Sequence, residues 1–353
     1  MRLRKLVTLA AALVAAAGCS RLVPGRAEPK RVVWTVSGAR LLRNGVPDTV
    51  HGVNRPSCEW NPECVRVSRE DFQRMRDWGA RAVRIPLDQD FMLPGAARYR
   101  ADYRERIRAI VRTTADVGFD AVILDLHWSD RGDLANPRPA QQRMADSNSL
   151  AFWRMVADDF KGDGRVMFEL YNEPHDVSWD VWLDGGALPE VRHRDGTVDP
   201  AFVAVGMQQM YDAVRSTGAR NVVVAGGLDW AYDLSGVPTH RLRGYNVAYA
   251  THPYPFESKL PATWDRSFGD LSATDLVIAT EFGDNRAQCT PEYSAQFVDY
   301  ARRHGLSWTA WAWFAPGDAP SEERLCRFPS VIARWDGTPT PQGAVVKAAL
   351  GGR

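Results

Sequence analysis

Two glutamates stand where a carboxylate is costly. Glu173 follows the apolar run Val166-Met167-Phe168-Glu169-Leu170, and Glu281 follows Leu276-Val277-Ile278-Ala279-Thr280. A charge at the end of such a run needs a polar partner or a chemical task. Two carboxylates flanking a sugar linkage can hydrolyse it, one protonating the leaving oxygen and the other serving as nucleophile or base. A gap of about 5–5.5 Å implies a covalent, retaining route and one of roughly 6.5–9.5 Å an inverting route. Other groups that handle protons or charge fall at comparable points of the chain: Arg84, Asp125 with His127, Asn172, and His252 with Tyr254. Whichever carboxylate attacks should stay ionised, which a cation and a hydroxyl such as Arg84 and Tyr254 could secure, and its charge should raise the pKa of the other so that it can act as an acid. The competing reading is a structural ion pair. Asp125 and Glu169 are expected to be interior hydrogen-bonding groups, and for His127 and His252 a structural role competes with substrate contact.

A repeated unit must position these groups. A helical stretch ends at glycine and an apolar strand follows: Gly79 before Ala82-Val83-Arg84-Ile85, Gly118 before Ala121-Val122-Ile123-Leu124, Gly218 before Asn221-Val222-Val223-Val224, and Gly305 before Leu306. Glycine at that point takes the left-handed conformation that returns the chain to a sheet. Near-continuous apolar strands suit a parallel sheet covered by helices. Strands are expected near 50–54, 81–86, 120–126, 165–171, 221–226, 245–251, 276–281 and 306–312. Eight strands with intervening helices make the fold class α/β, a (β/α)8 TIM barrel, with a doubly wound sheet as second choice. Val32 to Thr49, alternating around Asn44-Gly45, predicts a short N-terminal β-hairpin that closes the barrel's bottom. Ser68 with Asp71 predicts a capping box. In a barrel, the C-terminal strand ends carry function, and the groups named above fall there.

With these residues in order, the chain resembles glycoside hydrolase family 5, the cellulase-type retaining family. The resemblance rests on Val83-Arg84-Ile85-Pro86, Leu124-Asp125-Leu126-His127, Tyr171-Asn172-Glu173-Pro174, His252-Pro253-Tyr254, Thr280-Glu281-Phe282-Gly283 and Trp308 to Phe314. It implies Glu173 as acid/base, Glu281 as nucleophile and Asn172 as a donor to the sugar 2-hydroxyl. It further implies His127 and His252 as substrate contacts and Trp313 as the floor of the subsite at the cleaved bond, with Trp311 two residues earlier leaving that register open. The substrate it implies is a β-glycan, foremost a β-1,4-glucan cut internally, with exo-action, mannan, β-1,3-glucan or envelope glycoconjugates as alternatives. No cofactor and no metal are implied. Trp60, Trp128, Trp179, Trp182 and Trp230 are candidate sugar platforms; Trp34, Trp78, Trp153 and Trp335 are assigned to structure.

The chain opens Met1-Arg2-Leu3-Arg4-Lys5, then runs apolar from Leu6 to Ala17 before Gly18-Cys19. That predicts a signal peptide over 1–18, too short to span a bilayer. Ala16-Ala17-Gly18-Cys19 is similar to a lipobox, so Cys19 is the expected lipidated N-terminus, with plain cleavage as the alternative. Residues 19–30 read as a tether and 31–353 as the catalytic domain, exported to the cell envelope or beyond and monomeric. Four further cysteines predict the pairs Cys58–Cys64 and Cys289–Cys326 in an oxidising compartment; no C-x-x-C spacing supports zinc. Forty-four basic against 43 acidic residues leave +1, without the basic excess of nucleic-acid binding. No G-x-G-x-x-G, P-loop or G-x-S-x-G occurs, which weighs against nucleotide and esterase chemistry. A glycan-binding surface lipoprotein without catalysis is the reading from another class, and it would predict loss of one glutamate.

Overall fold

Short apolar strands buried on both faces pair best with parallel neighbours, and eight of them close here into a barrel. The structure, a computed structural model, describes residues 32–194, 196–286, 290–317 and 321–351. The leader, the tether, Cys19 and Cys289 therefore lie outside the described residues. The barrel strands are β1 His51–Asn54, β2 Ala82–Asp88, β3 Ala121–Trp128, β4 Val166–Glu169, β5 Val223–Gly226, β6 Val247–Ala250, β7 Val277–Ala279 and β8 Ser307–Ala310. Each pairs in parallel with the next, and β8 closes on β1. All eight overlap their expected spans.

Side chains alternate along a strand, and this alternation builds the barrel interior in two tiers. At the bottom, Ala82, Ile123, Met167, Val224, Ala248 and Ile278 form one apolar cluster. Two residues further along their strands stand Arg84, Asp125 and Glu169, joined by Asn54 at the end of β1, all fully buried. The outward positions, among them Val83, Val122, Leu124 and Phe168, pack under the helices in a larger cluster. Helices Tyr103–Val117 and Pro291–His304 end at Gly118 (φ 89°) and Gly305 (φ 65°), as the repeated unit predicts.

Two local expectations change. The N-terminal element is a three-stranded meander, Trp34–Ser37, Arg40–Arg43 and Val46–Pro47, because Gly38 (φ 56°) adds a turn before the expected one at Asn44-Gly45. Trp34 and Leu41 do seal the apolar tier from below. The capping box is half made. Ser68 Oγ accepts from the Asp71 amide (3.3 Å), but the Asp71 carboxylate turns inward to Arg55 and Trp313. The disulfide Cys58–Cys64 is present. Cys326 is buried, while its expected partner Cys289 is not among the described residues.

Candidate active site

Arg84 is the hub of the polar tier. Its Nε donates to Glu169 Oε2 (2.6 Å), Nη1 to Asn54 Oδ1 (3.0 Å) and Glu281 Oε1 (2.6 Å), and Nη2 to Asn172 Oδ1 (2.7 Å). Asp125 Oδ2 lies 3.0 Å from Nη2. A planar fork of five donors suits this task, since it can satisfy several acceptors in fixed directions. The other Glu281 oxygen accepts from the Tyr254 hydroxyl at 2.6 Å. Burial, and then Glu281 beside it, push the Tyr254 phenol well above its usual range, so it stays protonated and donates. Glu281 thus sits with both oxygens held, 3% exposed, at the edge of a cavity of about 680 Å³.

Glu173 lines the same cavity, and its Oε1 lies 3.0 Å from His252 Nδ1. Here the structure changes an expectation. Burial raises the Glu173 carboxyl, but its hydrogen bond to His252 and the charge on that ring outweigh it and hold the group below the usual range. The surroundings favour protonation of the imidazole instead. Burial opposes it, yet Glu281, Glu169 and Glu173 together raise His252 to about 9. Ligand atoms of Glu173, His252 and Glu281 all lie within 4.8 Å of one another. Each of the three residues is engaged in a hydrogen bond there.

The neighbours are set as reactive-site contacts should be. Asn172 gives its oxygen to Arg84, which fixes the amide so that Nδ2 is the donor end; Nδ2 is buried and has no partner among the described residues. His127 spends Nδ1 on Asp125 (2.7 Å), which leaves Nε2 as the free ring atom of a cavity-lining residue. Burial lowers His127 to about 4, so it is neutral near pH 7.

Trp313 is not the cavity floor. It is fully buried behind it, donating Nε1 to Asp71 Oδ1 (2.8 Å) and meeting Trp78 edge-on at 4.8 Å. Trp311 lines the cavity instead, 8% exposed and parallel to His127 at 5.5 Å. Regular strand geometry ends at Ala310, so the two-residue repeat could not choose between the two tryptophans.

Among the candidate platforms, Trp230 lines the cavity and is 40% exposed. Its ring lies flat on His175 at 3.6 Å, and its amide donates to Pro174 O at 3.0 Å, which ties it to the loop carrying Glu173. Asp229, Trp230 and Ala231 all take positive φ (55°, 62° and 55°). Three successive non-glycine residues there are costly and persist where surroundings impose them, often at functional sites. Trp182 is buried with its Nε1 on Gly226 O, Trp179 packs against it, and Trp60 packs on Phe314 and Phe328. Trp128, half-buried, does not reach the cavity lining. Lys259, Phe328 and Arg327 line the cavity unannounced by any motif. Lys259 is visible only by its contacts, with Nζ 3.2 Å from Asp229 Oδ1.

A family model for cellulase, glycosyl hydrolase family 5, matches residues 43–317. The chain belongs to glycosyl hydrolase family 5. Relatives of this family 5 protein include an endoglucanase of Clostridium saccharobutylicum, 23% identical over 90% of this chain and 64% of that one. Another is a cellulase/esterase of Acetivibrio thermocellus, 24% identical over 74% of this chain and 35% of that one. The chain thus spans less than two thirds of either relative. The family 5 barrel also superposes on a β-glucanase of Saccharophagus degradans in complex with cellotetraose, with TM-score 0.70, 22% identity and coverage of 91% and 94%. The catalytic domain of a Thermobifida fusca endoglucanase gives TM-score 0.67 at 16% identity, covering 90% and 97%.

Proposed function

We propose that this family 5 glycosidase is a retaining endo-β-1,4-glucanase. The observation that carries the reading is the approach of the Glu173 and Glu281 carboxylates, with one oxygen of each within 4.8 Å of the other across one cavity. So close an approach suits direct attack on the anomeric carbon better than the wider gap used to seat an intervening water. In the first step Glu281 bonds to the anomeric carbon while the glycosidic oxygen departs with a proton from Glu173. In the second, Glu173 takes a proton from water, which attacks the same carbon and frees Glu281. Arg84 and Tyr254 hold the attacking carboxylate before bond formation and accept it back afterwards. Asn172 Nδ2 is the donor available to the 2-hydroxyl, a contact that strengthens as the ring approaches oxocarbenium character.

Action within a β-glucan is supported by two aromatic faces, Trp311 beside His127 and Trp230 on the Glu173 loop, since sugar faces stack on indole. It is supported also by the relatives named endoglucanases. The test is trapping with an activated 2-deoxy-2-fluoro-β-cellobioside: mass spectrometry should place the label on Glu281, and proton NMR should show the β-anomer formed first from cello-oligosaccharide. Absence of turnover and label on every β-glycan tried would sink the reading. A fall in viscosity ahead of reducing-sugar release distinguishes internal cleavage from exo-action. We propose also that the chain is exported and anchored through Cys19, on the strength of its basic start and apolar run. Incorporation of labelled palmitate, lost in Cys19→Ser, checks this.

A further inference from the structure

Just beyond the end of β5 three residues in a row, Asp229, Trp230 and Ala231, hold a left-handed conformation that any side chain disfavours. Contacts from three directions impose it. The Trp230 amide donates to Pro174 O (3.0 Å), beside Glu173, and the His252 amide donates to Ala231 O (3.1 Å). The third contact comes from a side chain in the loop after β6. Lys259 Nζ donates to Asp229 O at 2.5 Å and lies 3.2 Å from Asp229 Oδ1. Lys259 is only 5% exposed, sits beside the rings of Tyr232 and Phe256, and lines the cavity together with Asp229 and Trp230. Lysine is seldom buried so far unless it is paired, and here the pairing is spent on a strained turn at the cavity wall. An ammonium carries three protons. Asp229 engages two, and the third has no acceptor among the described residues.

We infer that Lys259 is a specificity-determining residue: it fixes the turn over 229–231 so that the Trp230 face, rimmed by Lys259 Nζ and the Asp229 carboxylate, receives the sugar of the leaving group. The inference rests on the retaining-hydrolase reading and adds to it the residue that favours a departing sugar over any other leaving group. Glu173 gives its proton to the departing oxygen, so the departing sugar lies on the Glu173 side of the cleaved bond. Trp230 is tied to that side twice, by its amide on Pro174 and by its ring on His175. A β-linked glucose unit carries C–H groups on its faces and hydroxyls at its edge. An indole face with a cationic donor and a carboxylate acceptor at its rim matches that pattern. Without the ammonium, nothing from the loop after β6 holds the Asp229 carbonyl. The turn can then relax towards ordinary backbone and carry the indole off His175.

The test sets two substrates against each other in Lys259→Met, which keeps an apolar stem and loses the ammonium. Cellotetraose presents a departing sugar to Trp230, whereas β-cellobiosyl fluoride loses a single atom that does not reach it. In the variant kcat/KM should fall about tenfold further on cellotetraose than on the fluoride, the loss expected for a charged hydrogen bond. Trp230→Ala should show the same split, and the double variant should lose little more than either alone. Equal losses on the two substrates, or losses that multiply in the double variant, would make Lys259 a structural residue only. Fluorine-19 NMR of the full protein carrying 5-fluorotryptophan needs no turnover, so failure of the hydrolase reading and failure of this inference are separable. The resonance that Trp230→Phe removes should move in Lys259→Met; an unmoved resonance would overturn the inference whatever the activity. Should Lys259→Met not fold, Asp229→Asn keeps the carbonyl and drops the charge. It should give the same split at about threefold, and its absence would count equally against the inference.

Discussion

Arg84 Nη1 lies 2.6 Å from Glu281 Oε1 while the rest of the guanidinium binds Glu169, Asn172, Asn54 and Asp125. One buried cation therefore orients the attacking carboxylate and the donor amide together, so displacing it disturbs both. Arg84→Lys keeps the charge and loses the fork. We expect kcat/KM to fall by more than about 10²-fold, and stability by about 3 kcal/mol as buried acceptors lose their partner. Steady-state kinetics with denaturant unfolding checks both.

The two glutamates should separate chemically. Glu281→Ala should abolish turnover by at least about 10⁴-fold, and because Arg84 keeps Glu169 and Asp125, its melting temperature should stay close to that of the wild type. Azide with an activated aryl β-glycoside should then give an α-glycosyl azide. Glu173→Ala should lose about 10²–10⁴-fold on substrates with poor leaving groups and give the β-azide. Interchanged products would reverse the assignment.

The two tryptophans near the end of the barrel should divide function from stability. Trp311→Ala removes the cavity face beside His127 and should weaken catalysis with a small change in melting temperature. Trp313→Ala empties a fully buried site and should cost about 3–5 kcal/mol. Thermal unfolding set beside kinetics on cello-oligosaccharides distinguishes them.

Stability should decline as pH rises. Burial raises Asp88 to about 7, Asp90 to about 9 and Glu59 to about 8. A carboxyl whose folded pKa is raised contributes most below its unfolded pKa, near 3.8 for aspartate, and loses that contribution up to its folded pKa. The loss approaches about 1.4 kcal/mol per pH unit for each such group. Both Asp90 oxygens lack a partner among the described residues, so Asp90→Asn should melt above wild type at pH 8 and with it at pH 4. Equal melting at both pH values would show Asp90 ionised and compensated.

Much of this was legible in the chain. Apolar strands of three to eight residues, several of them preceded by a helix-ending glycine, point to a parallel sheet covered by helices, and their number favours closure into a barrel. The two-residue period then raises Arg84, Asp125 and Glu169 above an apolar tier, and the short motifs after each strand mark Glu173, His252 and Glu281. Such information is local, carried by periodicity and turn chemistry. What the tertiary structure decided is non-local. Which tryptophan faces the cavity depended on where β8 ends. Asp71 left its cap for Arg55 and Trp313 across the barrel, and Lys259 and Phe328 reached the cavity from loops without a pattern. The pairing of Glu173 with His252 depended on residues meeting from different strand ends. A pKa is set by distances between groups remote in sequence, and those exist only once the barrel has closed.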